Sequence, residues 1–427
     1  MIKKFKPISI SLSPNVQKDD VFLALKLLFQ PWKWAGHKSA LGSAIASLEN
    51  EFKKYLGVKY AFSFNSGRSS LFAILKALNL PENSDVMLQA FTCNAVPNPI
   101  LWANLNPAYI DCANDFNADL SSLRARAKQS KVLILQHTFG LPANTEEANL
   151  IMRQNGGIMI EDCAHALGAE YRSNVGLPNE ALAKVGTFGN VGFFSFSRDK
   201  VISCVYGGMA VTNNDEIGKK LEALQKEFGM PGFFWIKQQL MHPVLLHFII
   251  LPLYHFFDLG KIFLVASQWL HILSKAVSWQ EKRGLRPDYF PKALPNALAI
   301  LALNQFKKLE TFNAHRKKIA EFYYQELAGT SFGLPKKENN IFLRFSVTHP
   351  KAHEILYDAW HKENMLLGDW YTSVIAPFDT KLDEVKYTMG SCPNAERLAQ
   401  KTLNLPTHIN ISMEEAKRIV TFLKKWN

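Results

Sequence analysis

Hydrophobic positions along the chain recur with two periods, one helical and one alternating. Residues 39–56, SALGSAIASLENEFKKYL, carry apolar side chains at helical spacing and stop before Gly57, which predicts an amphipathic helix with a glycine end. KYAFSF (59–64) then alternates like a strand, NSGR (65–68) turns, and SSLFAILKALNL (69–80) returns to helical spacing. Short apolar runs follow at DVMLQAF, PAYID, KVLILQHTFG, GGIMIED and VGFFSFS, with helical patterns such as TEEANLIMRQN between several of them. Buried strands alternating with helices predict an α/β domain built on a mainly parallel sheet. From about residue 305, QFKKLETFNAHRKKIAEFYYQEL predicts a long charged helix, and the mixed tail ends in the helical pattern SMEEAKRIVTFLKKW. The expected division is an N-terminal arm and large domain over 1–228, a hydrophobic insertion over 229–290 and a small α/β domain over 291–427.

The insertion breaks the α/β rhythm. Residues 229–276 are rich in Phe, Leu, Ile, Trp and His, and Gln238 through Phe257 carry no charge, a length that at ~1.5 Å per residue matches a ~30 Å hydrocarbon layer. Two glutamines, three histidines and two prolines inside that run argue against a simple span. The pattern fits an amphipathic hairpin lying in a membrane interface, with Trp235, Trp269 and flanking lysines at headgroup level, and equally a helical pair buried at a subunit interface.

Composition narrows the class. With 427 residues, 48% of them hydrophobic, the chain has room for two domains and a substantial core. Its formal charge of +12 suits a phosphorylated substrate, a nucleic acid or an anionic membrane. No nucleic-acid-binding module is present in the sequence, so nucleic acid is not expected. The 5 cysteines are scattered without a CxxC pair, which predicts neither disulfides nor a zinc site and points to a reducing cytoplasm. MIKKFKPISISLSP lacks the sustained apolar run of a cleaved signal peptide.

The candidate chemistry centres on Lys200, which lies in FSFSRDKVISCVYGGMAVTN between a Ser/Phe-rich run and the pair Gly207–Gly208. A lysine amine can form a Schiff base with an aldehyde cofactor, provided other groups grip the cofactor. For pyridoxal phosphate these are a carboxylate for the pyridine nitrogen, a group near the ring hydroxyl and a cup for the phosphate. Asp162 follows an apolar strand in GGIMIEDCAHALGAEY, where α/β sheets place ligand sites, and His165 comes three residues later. Ser66, Gly67, Arg68 and Ser69 open a helix, where free backbone N–H groups attract an anion, and Ser195 offers a further hydroxyl.

Taken in order, FNSGRSSLFAILKALNL, QAFTCNAVPNPILWANLNPAYID, QHTFGLPAN, IEDCAHALGAEY, GTFGNVGFFSFSRDKVISCVYGGMAVTN and CPNAERLAQKTLNLPTHINISMEEAKRIV resemble the DegT-type sugar aminotransferases. The resemblance covers most of the chain and fails over 229–290. It implies PLP fold type I, with Lys200 as the Schiff-base lysine, Asp162 as pyridinium partner and His165 beside the ring oxygen. Gly67, Arg68, Ser69 and Ser195 are implied as phosphate contacts. It also implies a homodimer that transfers an amino group from glutamate to a nucleotide-linked keto sugar; lysine at position 200 fits transamination, whereas the dehydratase branch has histidine there. Three departures stand out: Arg68 replaces the usual threonine, Cys93 replaces an aromatic ring that stacks on the cofactor, with Phe91 or Cys93 itself as the substitute contact, and DYFPKALPN replaces a GYN segment, leaving Lys292 as the alternative to its asparagine. The rival expectation is a fold-type-I scaffold or sensor at a membrane that has lost its cofactor.

Overall fold

A computed structural model of the chain describes residues 7–36, 43–172, 182–254 and 259–427. The first residues of the helix expected at 39–56, the basic start of the chain and the end of the uncharged run at 255–257 lie outside that description.

The large domain is organised around seven strands: β1 (Tyr60–Phe64), β2 (Asp85–Gln89), β3 (Asn106–Ile110), β4 (Val132–Gln136), β5 (Ile158–Asp162), β6 (Val191–Ser195) and β7 (Gly208–Thr212). Their order across the sheet is β1-β7-β6-β5-β4-β2-β3. All neighbours pair in parallel except at β7, which runs antiparallel to both β6 and β1. β4, VLILQ, is buried along its whole length, as expected of a central strand covered on both faces. Asp162, Ser195 and the turn after β1 therefore share one edge of the sheet, the carboxyl ends of parallel strands where α/β folds assemble sites.

Helices cover both faces. α1 (Lys18–Leu28) packs on α4 (Phe233–Leu245), while α2 (Ala44–Leu56) packs on α6 (Asn296–Phe306). α2 ends at Gly57 with φ +70°, a left-handed turn that glycine adopts without strain. α3 (Gly67–Leu78) follows β1 directly, and α5 (Leu259–Trp269) lies in the insertion.

One boundary differs from the sequence pattern. The charged helix expected from Gln305 is α7 (Leu309–Leu327), and Gln305 belongs to α6 instead. The break is pinned from outside: Gln305 Nε2 donates to Asp20 at 2.6 Å and Lys308 Nζ to Asp19 and Asp20, so the turn is tied to the first turn of α1.

The small domain packs α7 against a two-stranded sheet, β8 (Phe345–Thr348) and β9 (Thr402–Leu405), around Ile319, Tyr323, Phe345 and Leu403. Ile8 and Ser9 pair with Met365 and Leu366, which ties the start of the chain to this domain. Thr92–Cys93 pairs in parallel with Ile375–Ala376, drawing the segment 368–378 over the carboxyl end of the large sheet.

Candidate active site

A cavity of about 200 Å³ opens at that carboxyl edge. Of the residues singled out in the sequence, Ser66, Gly67, Arg68, Cys93, Asp162, His165, Ser195 and Lys200 line it, and Ser69 does not. Ser69 Oγ donates to Asn65 Oδ1 at 2.7 Å and is completely buried beneath the turn.

The turn between β1 and α3 has the chemistry of an anion cradle. Ser66 is the N-cap in extended conformation, and its Oγ accepts the Ser69 N–H at 3.0 Å. The Ser70 amide is used by the Ser66 carbonyl, so Gly67 and Arg68, the first two helical residues, keep N–H groups that the helix itself cannot satisfy. Two glycines permit this packing. A Cβ on Gly67 would stand 2.9 Å from Ser195 Cβ, and one on Gly208 would stand 2.5 Å from the Ser66 carbonyl carbon and 2.6 Å from the Gly67 nitrogen.

Arg68 is turned aside from the cradle. Its guanidinium pairs with the buried carboxylate of Glu281 at 2.7 Å, donates to the Ala276 carbonyl at 2.9 Å and lies 5.3 Å from the Phe290 ring. Lys292, the alternative to the missing asparagine, donates through Nζ to the Phe228 carbonyl at 3.0 Å, and its backbone is bonded to Asn65.

Lys200 enters from the loop after β6. Burial lowers its amine to about 8, against the opposing pull of Cys93, Asp162 and Asp199. Its Nζ lies 4.5 Å from the centre of the Trp370 ring. Asp162 closes β5; its Oδ1 accepts the Ala164 N–H at 3.0 Å, and burial raises its carboxyl above the ordinary value. His165 is held well below its ordinary value by burial and by the charges of Lys200 and Arg344. Because its Nδ1 accepts the Phe139 N–H at 3.3 Å, the neutral ring carries its proton on Nε2.

The large aromatic face in the cavity comes from a residue the sequence did not single out. Trp370 stacks on His165 with centroids 5.2 Å apart and 17° between planes. Phe91 instead packs into a buried cluster with Phe116 at 5.3 Å and Tyr371 at 5.4 Å, and does not line the cavity. Cys93 does line it, its thiol pushed up by burial.

Three charged residues complete the surroundings. Arg198 lines the cavity and donates to Ser274 Oγ. Asp199 lines it too, its carboxyl raised to about 6 by burial. Arg344, 2% exposed, sits 3.4 Å from the Trp370 ring, and its Nη2 has no hydrogen-bond partner among the described residues. A lone cation in the apolar stretch IFLRFSV was the available signal for it.

His137, Glu161 and Cys163 lie close enough together to suggest a metal site. The donor set argues otherwise: Glu161 accepts N–H groups from Phe188 and Gly189 at 2.7 Å and from Gly186 at 2.8 Å, besides His137 Nε2 at 3.1 Å. His137 Nδ1 accepts the Ala143 N–H at 3.0 Å, leaving that ring no free lone pair. This network fixes the end of β5, the residue beside Asp162.

An anion cradle, a buried carboxylate and a depressed amine in one cavity are the donor set that pyridoxal phosphate requires. Comparison with known proteins agrees. A family model described as the DegT/DnrJ/EryC1/StrS aminotransferase family matches residues 33–242 and 290–424, leaving out most of the insertion. The chain is 24% identical over 391 residues to the UDP-N-acetyl-3-dehydro-alpha-D-glucosamine 3-aminotransferase of Acidithiobacillus ferrooxidans, covering 90% of this chain and 89% of that one. It is 23% identical over 394 residues to the GDP-perosamine synthase of Caulobacter vibrioides, covering 90% of each. Among solved structures, PseC of Helicobacter pylori, an aminotransferase involved in the biosynthesis of pseudoaminic acid, superposes with a TM-score of 0.72 at 19% identity, over 98% of this chain and 99% of that one. The PLP form of a sugar aminotransferase from Streptococcus pneumoniae superposes with a TM-score of 0.71 at 17% identity, over 99% and 98%.

Proposed function

The chain belongs to the DegT/DnrJ/EryC1/StrS aminotransferase family and is a pyridoxal-phosphate-dependent sugar aminotransferase, and from that premise we propose that it moves an amino group from glutamate onto a keto sugar carried by a nucleotide. The observation that carries this reading is the meeting of Lys200 and Asp162 in one buried cavity beside the start of α3. Bound pyridoxal phosphate supplies an aldehyde carbon that takes up the substrate nitrogen and a ring that accepts electron density when the neighbouring carbon loses its proton.

The residues have these roles in the proposal. The amides of Gly67 and Arg68 and the hydroxyls of Ser66 and Ser195 hold the phosphate at the positive end of α3. Asp162, as a carboxylate, balances the protonated ring nitrogen. His165 presents its Nε2–H toward the ring oxygen. Lys200, with its amine near 8, is able to carry a proton to and from the substrate carbon close to neutral pH. Arg344 takes the amino donor's carboxylate, since its buried guanidinium beside Trp370 has an open donor edge among the described residues and carboxylates match that edge in pairs.

The nucleotide-linked acceptor is supported by the names of the relatives, a UDP-sugar aminotransferase and a GDP-perosamine synthase, and by the basic balance of the chain. The test is a panel of nucleotide-linked 3-keto and 4-keto sugars with glutamate, read as 2-oxoglutarate release and as mass gain of the sugar. Amination of simple keto acids but of no sugar in the panel would overturn the acceptor assignment.

A further inference from the structure

The stretch that the family model leaves out carries an unusual surface. α5 is apolar around most of its circumference, and such a helix is normally enclosed. Here only Gly260 of its eleven residues is buried. Ile262 is 59% exposed, Val265 57% and Trp269 77%, with Phe263 and Phe248 close to half exposed. Gly260 explains how the helix is seated: a Cβ there would lie 2.1 Å from the Ile250 carbonyl oxygen, so α5 crosses the end of the preceding helical turn in close contact and turns its larger side chains outward. Leu246, Ile250, Tyr254 and Leu273 form the small core beneath it. The patch continues onto α1, where exposed Phe22 meets Phe248 with ring centroids 6.2 Å apart.

Within the insertion the described charges have one sign, and the acidic Asp19 at the start of α1 is paired with Lys308. Among the described residues of 229–280, the charged side chains are Lys237, Lys261 and Lys275, and all three are exposed. Exposed apolar side chains with indole and lysine at the edge form the pattern that seats a helix in the headgroup layer of an anionic bilayer. The helices are too short to do more: no described helix is long and apolar enough to cross a membrane. A second copy of the chain would bring lysine against lysine if this face met itself across a two-fold axis.

We propose that α5 and the adjoining face of α4 and α1 form a docking surface for an anionic lipid bilayer. The surface is coupled to the cavity through the segment that follows α5. Tyr206 donates its hydroxyl to the Lys275 carbonyl, Arg68 donates to the Ala276 carbonyl, and Ala276 and Val277 line the cavity wall. Seating α5 in lipid therefore sets one wall of the site at the membrane surface. This does not depend on which sugar is aminated.

The test is co-sedimentation of the cofactor-loaded protein with vesicles of phosphatidylcholine alone and of phosphatidylcholine with phosphatidylglycerol. The expected result is pelleting with the anionic vesicles, weakened by salt. Combined substitution Ile262→Ser, Phe263→Ser and Trp269→Ser should lower the partition coefficient roughly tenfold or more, because several buried apolar side chains are lost. Lys237→Gln with Lys261→Gln and Lys275→Gln should remove the preference for anionic lipid, while visible absorbance of bound cofactor stays unchanged in both variants. Wild-type protein that stays in the supernatant overturns the proposal, as does unchanged pelleting of the serine variant. A fall in particle mass by light scattering on serine substitution also overturns it, since a second copy would then be what covers the face.

Discussion

The amine of Lys200 lies 4.5 Å from the centre of the Trp370 indole, and no carboxylate forms an ion pair with it among the described residues. Burial therefore decides its titration, bringing it from the ordinary 10.5 to about 8. In cofactor-free protein the unfolded chain binds more protons at this group between about pH 8 and 10.5, so its contribution to stability rises with pH across that window. Below pH 8 the buried ammonium costs on the order of 3 kcal/mol. Lys200→Met should stabilise the cofactor-free protein by about that much at pH 7, with the gain vanishing above pH 10.5. Denaturant titrations of both proteins across pH measure this; parallel curves would exclude it. The same variant, incubated with pyridoxal phosphate and reduced with borohydride, should show neither turnover nor a covalent cofactor adduct by mass, and a retained adduct would mean that another lysine is the anchor.

Gly208→Ala should strike the phosphate cradle specifically. The added Cβ meets the peptide between Ser66 and Gly67, at 2.5 Å from the Ser66 carbonyl group and 2.6 Å from the Gly67 nitrogen, and this is backbone rather than a flexible side chain that could move out of its way. Overpacking of this kind costs about 1–3 kcal/mol. The expected outcome is a lower melting temperature together with weaker cofactor binding, read by absorbance titration. Gly57→Ala, at a position with open space around it, is the control: it should lower the melting temperature through its φ of +70° and leave the cofactor titration unmoved.

How much of this was legible in the sequence depended on distance along the chain. The strands, the β1–α3 turn and the pair Asp162–His165 are local patterns, and period and punctuation located them. The contributions of Trp370 and Arg344 are not local: Trp370 lies in the segment that the pairing of Ile375–Ala376 with Thr92–Cys93 draws over the cavity, and Arg344, just before β8, stacks on its ring. Nothing in GDWYTS marks Trp370 as a ring that lines the cavity together with Cys93. The partner of the Arg68 guanidinium was hidden for a similar reason, since Glu281 lies at the far end of the insertion. The α6–α7 break escaped the helical period because side chains of α1 impose it from outside.

The Arg68–Glu281 pair makes its own prediction. Glu281 is fully buried and Arg68 only 11% exposed, so removal of one leaves an uncompensated charge. Arg68→Thr and Glu281→Gln should each destabilise the fold by about 3–5 kcal/mol, whereas the double variant should cost much less than their sum. Denaturation midpoints of the four proteins give the coupling directly. Additive losses would mean that the pair is not what holds the segment 274–281 against α3.

Arg344 separates the two halves of the proposed reaction. Its guanidinium is anchored through Nη1 to Asn404 Oδ1 at 3.4 Å and stacks on Trp370, while Nη2 is the edge left for a ligand among the described residues. A hydrogen bond to a charged group contributes roughly 1.5–3 kcal/mol, so Arg344→Gln should raise the KM for glutamate about 10- to 100-fold. Arg344→Lys should recover little, because a point charge replaces a planar fork. The return half, in which the aminated cofactor meets the keto sugar, needs no carboxylate contact and should keep its single-turnover rate. Stopped-flow absorbance of each half separately decides the matter. Equal losses in both halves would make Arg344 a prop for Trp370, and loss confined to the sugar half would place the donor carboxylate elsewhere.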